Sequence, residues 1–183
     1  MIILIDNYDS FSYNLYQLVG GILMERDGPG EAASLKVIRN DAYTAEEIAA
    51  MKPAGIILSP GPGRPEDAGV CIEVVKKLGD QIPLLGVCLG HQSICRAYGA
   101  DVSYAKRLMH GKQSEAEVDT KSRLFKGCPK KLTVGRYHSL AAVEETMPPC
   151  LRVTARTADG EIMAVEHKAY PAFGLQFHPE SIM

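Results

Sequence analysis

No stretch of this 183-residue chain approaches the roughly 20 consecutive apolar residues of a membrane span. Its start, "MIILIDNYDS", lacks the basic opening and long apolar core of a secretory signal. A soluble cytoplasmic protein with no membrane partner is therefore expected. Excess charge is also missing. The formal net charge is -2 and the pI about 6.2, so nothing draws the chain as a whole to nucleic acid. The one locally basic run, "KSRLFKGCPKK" from Lys121 to Lys131, reads first as solvated surface and second as a partner contact. The five cysteines, Cys71, Cys88, Cys95, Cys128 and Cys150, contain no C-x-x-C pair, which argues against a disulfide framework and against a zinc site. Neither nucleotide-binding fingerprint, G-x-x-x-x-G-K-[ST] or G-x-G-x-x-G, is present, and there are no repeats or low-complexity segments.

What remains is an ordinary globular composition, 46% hydrophobic and 23% charged, of a size for one domain over residues 1–183. The first half alternates strand-like and helix-like segments. "MIILID" is a continuous apolar run, and the following helix places Phe11, Leu15, Leu18, Val19 and Ile22 on one face. "RDGPGE" breaks it and "SLKVIRN" is a second strand. "TAEEIAAM" opens with the capping box Thr44-x-x-Glu47. "GIILS" is a third strand, followed by a helix from about Glu66 to Leu78 with Gly79 placed to stop it. "IPLLGV" is a fourth strand, and its helix "LGHQSICRAY" ends at Gly99.

Apolar strands separated by helices predict an α/β fold: a three-layer open sheet, mostly parallel, with helices on both faces and the strands' carboxyl ends along one edge. The second half changes to shorter, alternating segments, "QSEAEVD", "KLTVGRYHS", "LRVTART" and "EIMAVEH", with Asp159-Gly160 as a hairpin signal. These are expected as antiparallel strands of the same sheet.

Gly86-Val87-Cys88-Leu89-Gly90 has the spacing of a nucleophile elbow with sulfur in place of a hydroxyl. A strand ending at Val87 and a helix starting near Leu89 would hold the sulfur out at the productive edge, where the helix N-terminus favours the thiolate. A buried structural cysteine beside packing glycines fits the motif equally well. For Cys95, two helical turns on, a small buried residue is the better reading. A thiolate needs a proton carrier, and His91, His110, His138, His167 and His178 compete. His178 ends the apolar run of "GLQFHPES", which brings it to the same edge, and Glu180 is close enough to orient it. "SPGPG", Ser59 to Gly63, and the Leu89 N–H offer backbone donors for an oxyanion, although a stiff loop or a phosphate cradle would also suit that stretch.

Together "SPGPG", "GVCLGHQ" and "FHPES" resemble the class I glutamine amidotransferases, whose fold is flavodoxin-like. "DNYDSFSYNL" (Asp6 to Leu15), "HGK" (His110 to Lys112) and "RYHSL" (Arg136 to Leu140) resemble, within that family, the glutaminase subunits of chorismate-using synthases. Those serving anthranilate and aminodeoxychorismate formation are near twins. The resemblance implies that Cys88 attacks the side-chain amide of L-glutamine, with His178 as acid and base and Glu180 orienting it. It gives Gly61 and Leu89 the oxyanion N–H groups, and Gly61, Gly63, Gln92, Ser139 and Leu140 the binding of glutamine. It further implies ammonia delivery to a chorismate-binding synthase subunit, with no cofactor or metal in this chain and Mg2+ only in that partner. For His110, Tyr137 and His138 it leaves partner contact, positioning and plain packing open. Members usually continue past "FHPES" into a last helix, whereas this chain stops at Met183, so apolar sheet surface is expected to be left uncovered. Two other readings stand beside this one: a stand-alone γ-glutamyl cysteine hydrolase, and a non-catalytic binding module.

Overall fold

Successive side chains of a strand point to opposite faces, so a continuous apolar run must be covered on both sides. The computed structural model, which describes residues 1–28, 34–109 and 111–181, shows how this is done. Strand β1 (Ile2–Asp6) buries Ile3 and Ile5 on one face and Leu4 on the other. Helix α1 (Ser12–Asp27) covers the Leu4 face, together with Leu35, Ile57 and Val87. Helices α2 (Ala45–Ala50), α3 (Cys71–Leu78) and α4 (Leu89–Ala97) cover the opposite face through Ile48, Val74, Leu78, Leu89 and Ile94. Among the described residues no helix is long and apolar enough to cross a membrane.

Strands β2 (Leu35–Arg39), β3 (Gly55–Leu58) and β4 (Leu84–Val87) run parallel with β1, and β11 (Ala172–Leu175) joins beside β4 in the same direction. From β11 outward the sheet turns antiparallel through β10 (Ile162–His167), β9 (Leu151–Thr157), β6 (Lys112–Val118) and β7 (Lys131–Arg136). The order is β2-β1-β3-β4-β11-β10-β9-β6-β7, a single sheet as expected, and Asp159-Gly160 does turn the chain between β9 and β10. A separate ribbon pairs β5 (Val102–Tyr104) with β8 (Leu140–Ala142). The basic run keeps its lysines exposed while Phe125, with Leu124 and Cys128, packs on Val118, Val134 and Leu175. It is therefore a cover for the antiparallel half as well as a charged surface.

Two expectations change. Helix α1 is rotated so that Leu15, Val19 and Leu23 face the sheet, which leaves Leu18 and Ile22 39% and 53% exposed. Ser12 Oγ donates to Asp6 Oδ1 at 2.7 Å, which ties the first turn of the helix to the end of β1. The helix expected from Glu66 begins only at Cys71, after a 3-10 turn over Pro65–Asp67. Val70 N–H donates to Asn40 O at 2.9 Å and Gly69 packs on the Asn40 backbone at φ 53°, so these residues are committed across the fold and not along a helix. The Thr44–Glu47 capping box forms reciprocally, at 2.8 and 3.2 Å. The second half of "RDGPGE", Pro29 to Glu31, lies outside the described residues.

β4 and α4 meet at glycine. A Cβ on Gly86 would run into the Gly90 backbone, and one on Gly90 into the carbonyl of Leu58. By contrast, Gly20 and Gly21 lie inside α1 with nothing within 4 Å of a Cβ position. Denaturant midpoints should therefore separate by sign. Gly86→Ala and Gly90→Ala should each lose about 1–3 kcal/mol or more to overpacking. Gly20→Ala and Gly21→Ala should each gain about 0.5–1 kcal/mol from helix propensity.

Candidate active site

Cys88 occupies φ 52°, ψ -101°, a conformation non-glycine residues rarely hold unless the surroundings impose it. Here they do. Its N–H donates to Leu175 O at 2.8 Å, and its carbonyl accepts the Gln92 N–H at 3.0 Å, so the turn is gripped by β11 and by α4. Cys88 opens on a cavity of about 230 Å³ lined also by Asp9, Phe11, Pro60, Gly61, Tyr137 and His178.

The strand beside the elbow delivers the histidine. β11 pairs Leu175 with Val87, and three residues later His178 is anchored by its N–H to Gly135 O at 3.0 Å. His178 Nδ1 is bonded to Glu180 Oε1 at 2.8 Å. This leaves Nε2, buried and without a hydrogen-bond partner among the described residues, as the nitrogen available to the thiol. Burial lowers the pKa of His178, but the Cys88 sulfur and the Glu180 carboxylate outweigh it and raise the value to about 9. The sulfur and the imidazole line the same cavity, and Nε2 carries no hydrogen bond of its own there. The rings of Phe11 and Tyr137 each stand 5.0 Å from the imidazole and fix its plane from two sides.

The competing histidines are disposed of by their surroundings. Burial drives His91 to about 3 and His138 to about 4, and burial with Arg123 lowers His167. All three therefore favour the neutral imidazole. His110 lies outside the described residues.

The "SPGPG" loop is held from below by the "DNYDS" stretch. Asn7 N–H donates to Ser59 Oγ and Asn7 Nδ2 to Ser59 O, both at 2.8 Å. Asn40 Nδ2 and the Cys71 thiol donate in turn to Asn7 Oδ1, at 2.9 and 3.3 Å. Gly61 passes so close to Asn7 and to the Leu89 side chain that a Cβ would collide with both. Gly61 thus lines the cavity with Cys88, and Leu89, the first residue of α4, follows the sulfur directly and packs its side chain against Gly61. Of the other expected residues, Gln92 and Leu140 are buried and joined, Gln92 Nε2 donating to Leu140 O at 3.1 Å. Gly63 and Ser139 are exposed, and Ser139 O accepts the Ala105 N–H at 2.9 Å. Tyr137 Oη and Ser181 Oγ share a hydrogen bond of 2.8 Å, and His138 Nδ1 meets Leu140 O at 2.9 Å.

Three residues escape sequence reasoning: Asn7, Phe11 and Gln176. Each lies inside a quoted motif, but its partner is far along the chain, 52 positions for Asn7–Ser59 and 88 for Gln176–Cys88, so spacing carries no signal. Among the described residues no group of three or more histidine, cysteine, aspartate or glutamate side chains is placed to share a metal ion.

A cysteine elbow at the carboxyl edge of a parallel sheet, with a His–Glu pair brought in by the next strand, defines an α/β enzyme of the cysteine-nucleophile kind. The family model described as "Glutamine amidotransferase class-I" matches residues 3–183, and the chain belongs to that family. It is 50% identical over 183 residues to the aminodeoxychorismate/anthranilate synthase component 2 of Bacillus subtilis, covering 100% of this chain and 89% of that one. It is 48% identical over 188 residues to anthranilate synthase component 2 of Pseudomonas aeruginosa, with the same coverage of 100% and 89%. The solved structure of a glutamine amidotransferase from Thermotoga maritima superposes with a TM-score of 0.69 at 16% identity, over 98% of this chain and 75% of that one, a likeness of fold.

The raised pKa of His178 is open to direct measurement. Its imidazole proton resonance should titrate near 9, and Glu180→Gln should move it down toward the ordinary value of 6.5. Since the folded value lies above the unfolded one, the imidazolium contributes stability fully below about pH 6.5, and this contribution is lost as pH rises through about 9. Urea midpoints across that window should fall more steeply for the wild type than for Glu180→Gln.

Proposed function

We propose that this chain hydrolyses L-glutamine and passes the ammonia to a chorismate-binding synthase subunit. The product is anthranilate, for tryptophan biosynthesis, with 4-amino-4-deoxychorismate for folate biosynthesis as the alternative. The observation that carries the reading is the strained Cys88 sharing one cavity with His178, whose far nitrogen is held by Glu180.

The chemistry closes on these groups. The Cys88 thiolate attacks the side-chain amide carbon, a C–S bond forms, and negative charge moves to the amide oxygen, toward the N–H groups of Gly61 and Leu89. His178, favoured as imidazolium at neutral pH, gives its proton to the amide nitrogen; the C–N bond breaks and ammonia leaves. The now neutral imidazole takes a proton from water as that water attacks the thioester. The C–S bond breaks, glutamate leaves, and thiolate and imidazolium are restored. Gly61, Gly63, Gln92, Ser139 and Leu140 hold the glutamine while this happens. We assign no cofactor to this chain and place Mg2+ in the synthase partner.

The partner is supported by the relatives, both named as the second component of a synthase, and the two products by the double name of the Bacillus subtilis relative. The physical reason for a partner is that free ammonia is protonated and lost in water, so it is best consumed without leaving the complex.

The test pairs the wild type and Cys88→Ala with anthranilate and aminodeoxychorismate synthase first components. Partner-stimulated glutamine hydrolysis should fall at least about 1,000-fold in Cys88→Ala. Synthesis by the same complexes from added ammonia should be unchanged. The purified chain alone should make no anthranilate from chorismate, Mg2+ and glutamine or ammonia. Hydrolysis that survives in Cys88→Ala, or that neither first component stimulates, would overturn the proposal.

A further inference from the structure

Behind the catalytic sulfur lies a row of buried polar groups in which Gln176, His138 and Arg136 have no part in the reaction above. Gln176 follows directly on β11 and is completely buried. Its Nε2 donates to Cys88 Sγ at 3.6 Å, and its Oε1 accepts from Gln92 Nε2 at 3.2 Å. The same Gln92 nitrogen donates to Leu140 O at 3.1 Å, which also receives His138 Nδ1 at 2.9 Å. His138 Nε2 accepts in turn from Arg136 Nε at 3.2 Å, and Arg136 Nη1 reaches Asp159 Oδ2, again at 3.2 Å.

The row can be polarised in one sense only. A guanidinium has no acceptor, so it must donate to His138 Nε2, and His138 must carry its proton on Nδ1. A carbonyl cannot donate, so Leu140 O requires that Gln92 turn its NH2 toward it. That same NH2 then supplies the second hydrogen to Gln176, whose oxygen must face Gln92. The only orientation left for the Gln176 amide points N–H at the sulfur. From this geometry we propose that Gln176 is a positioning residue for Cys88, whose carboxamide selects the side-chain rotamer of the nucleophile and supplies a fixed N–H donor to the thiolate.

The role fits the local need. The Cys88 backbone is fixed by Leu175 and Gln92, but its side chain is free to choose among staggered rotamers. His178 leaves the nucleophile once its proton passes to the amine. The Gln176 N–H remains throughout, on a side chain that is itself completely buried. Rate in such an arrangement is sensitive to small misplacements of the attacking atom.

This inference rests on the glutaminase reading, and its test separates the two. Gln176→Met keeps length and apolar volume but removes both ends of the amide; Gln176→Glu keeps the acceptor toward Gln92 and replaces the donor. Each is assembled with the synthase partner, and folding is checked by far-UV circular dichroism and thermal midpoint. In Gln176→Met, glutamine-dependent kcat should fall about 10- to 100-fold, the range for a lost hydrogen bond to a charged group, with KM changed less than about threefold. Iodoacetamide alkylation of Cys88 at fixed pH, measured without glutamine, should slow in parallel, and ammonia-driven synthesis should be unaffected. In Gln176→Glu, activity relative to wild type should decline as pH rises, because the protonated carboxyl can still donate and the carboxylate repels the sulfur. If Gln176→Met does not fold, this pH profile alone decides. Unchanged kcat and alkylation in a folded Gln176→Met, or a Gln176→Glu profile parallel to wild type, would overturn the proposal. Absent glutamine hydrolysis in the wild type with slowed alkylation in Gln176→Met would instead overturn the glutaminase reading while leaving Gln176 its part.

Discussion

The close contact of β4 with α4 is the constraint from which the rest follows. Gly86 and Gly90 bring the two elements together so tightly that the backbone of one touches the backbone of the other, and Gly90 also seats on Leu58 of the neighbouring strand. One residue is left to make the turn between Val87 and Leu89, and it can do so only at positive φ. That residue is Cys88. Backbone strain of this kind costs on the order of 1–3 kcal/mol, and packing on both sides offsets it. A sulfur that would otherwise lie in the sheet is thereby held out over a cavity.

Each further part of the site is placed by reference to this turn. β11 pairs with β4, so Leu175 takes the Cys88 N–H, and the residues after it, Gln176, His178 and Glu180, fall around the sulfur in order. The "SPGPG" loop follows β3 on the other flank, and Asn7 at the end of β1 ties it down through Ser59. Far along the sheet, β7 bends back so that Gly135 meets the His178 N–H, and Tyr137 closes on its ring. Parallel strands put their carboxyl ends on one edge, which is why segments so distant in sequence converge there.

Electrostatics then sorts chemically similar residues into different roles. His91, His138 and His178 are all buried, yet only His178 has a carboxylate on one nitrogen and a thiol at the other. His91 and His138 remain neutral because burial disfavours their charged forms, reinforced for His91 by the neighbouring His138 and for His138 by the Arg136 guanidinium. Cys71 and Cys95 show the same sorting among thiols, each pushed up to about 12 by burial. Cys88, by contrast, opens on the cavity that His178 also lines.

The sequence by itself determined the strands and helices of the parallel half, the turn at Cys88 and the arrival of His178 at the same edge, because these depend on periodicity and on glycine spacing within a few residues. It misjudged α1, where Leu18 and Ile22 complete a good apolar stripe but Leu15, Val19 and Leu23, an equally apolar neighbouring stripe, meet the sheet. It began α3 too early, since nothing near Glu66 announces that Val70 will bond to Asn40. Only the tertiary structure decided that Gly61 lines the Cys88 cavity while Gly63 and Ser139 stay at the surface, and that Asn7, Phe11 and Gln176 are drawn in around it. A hydrogen bond or ring contact between residues many tens of positions apart has no local signature: it exists only once the sheet order has brought the two chain segments to the same edge.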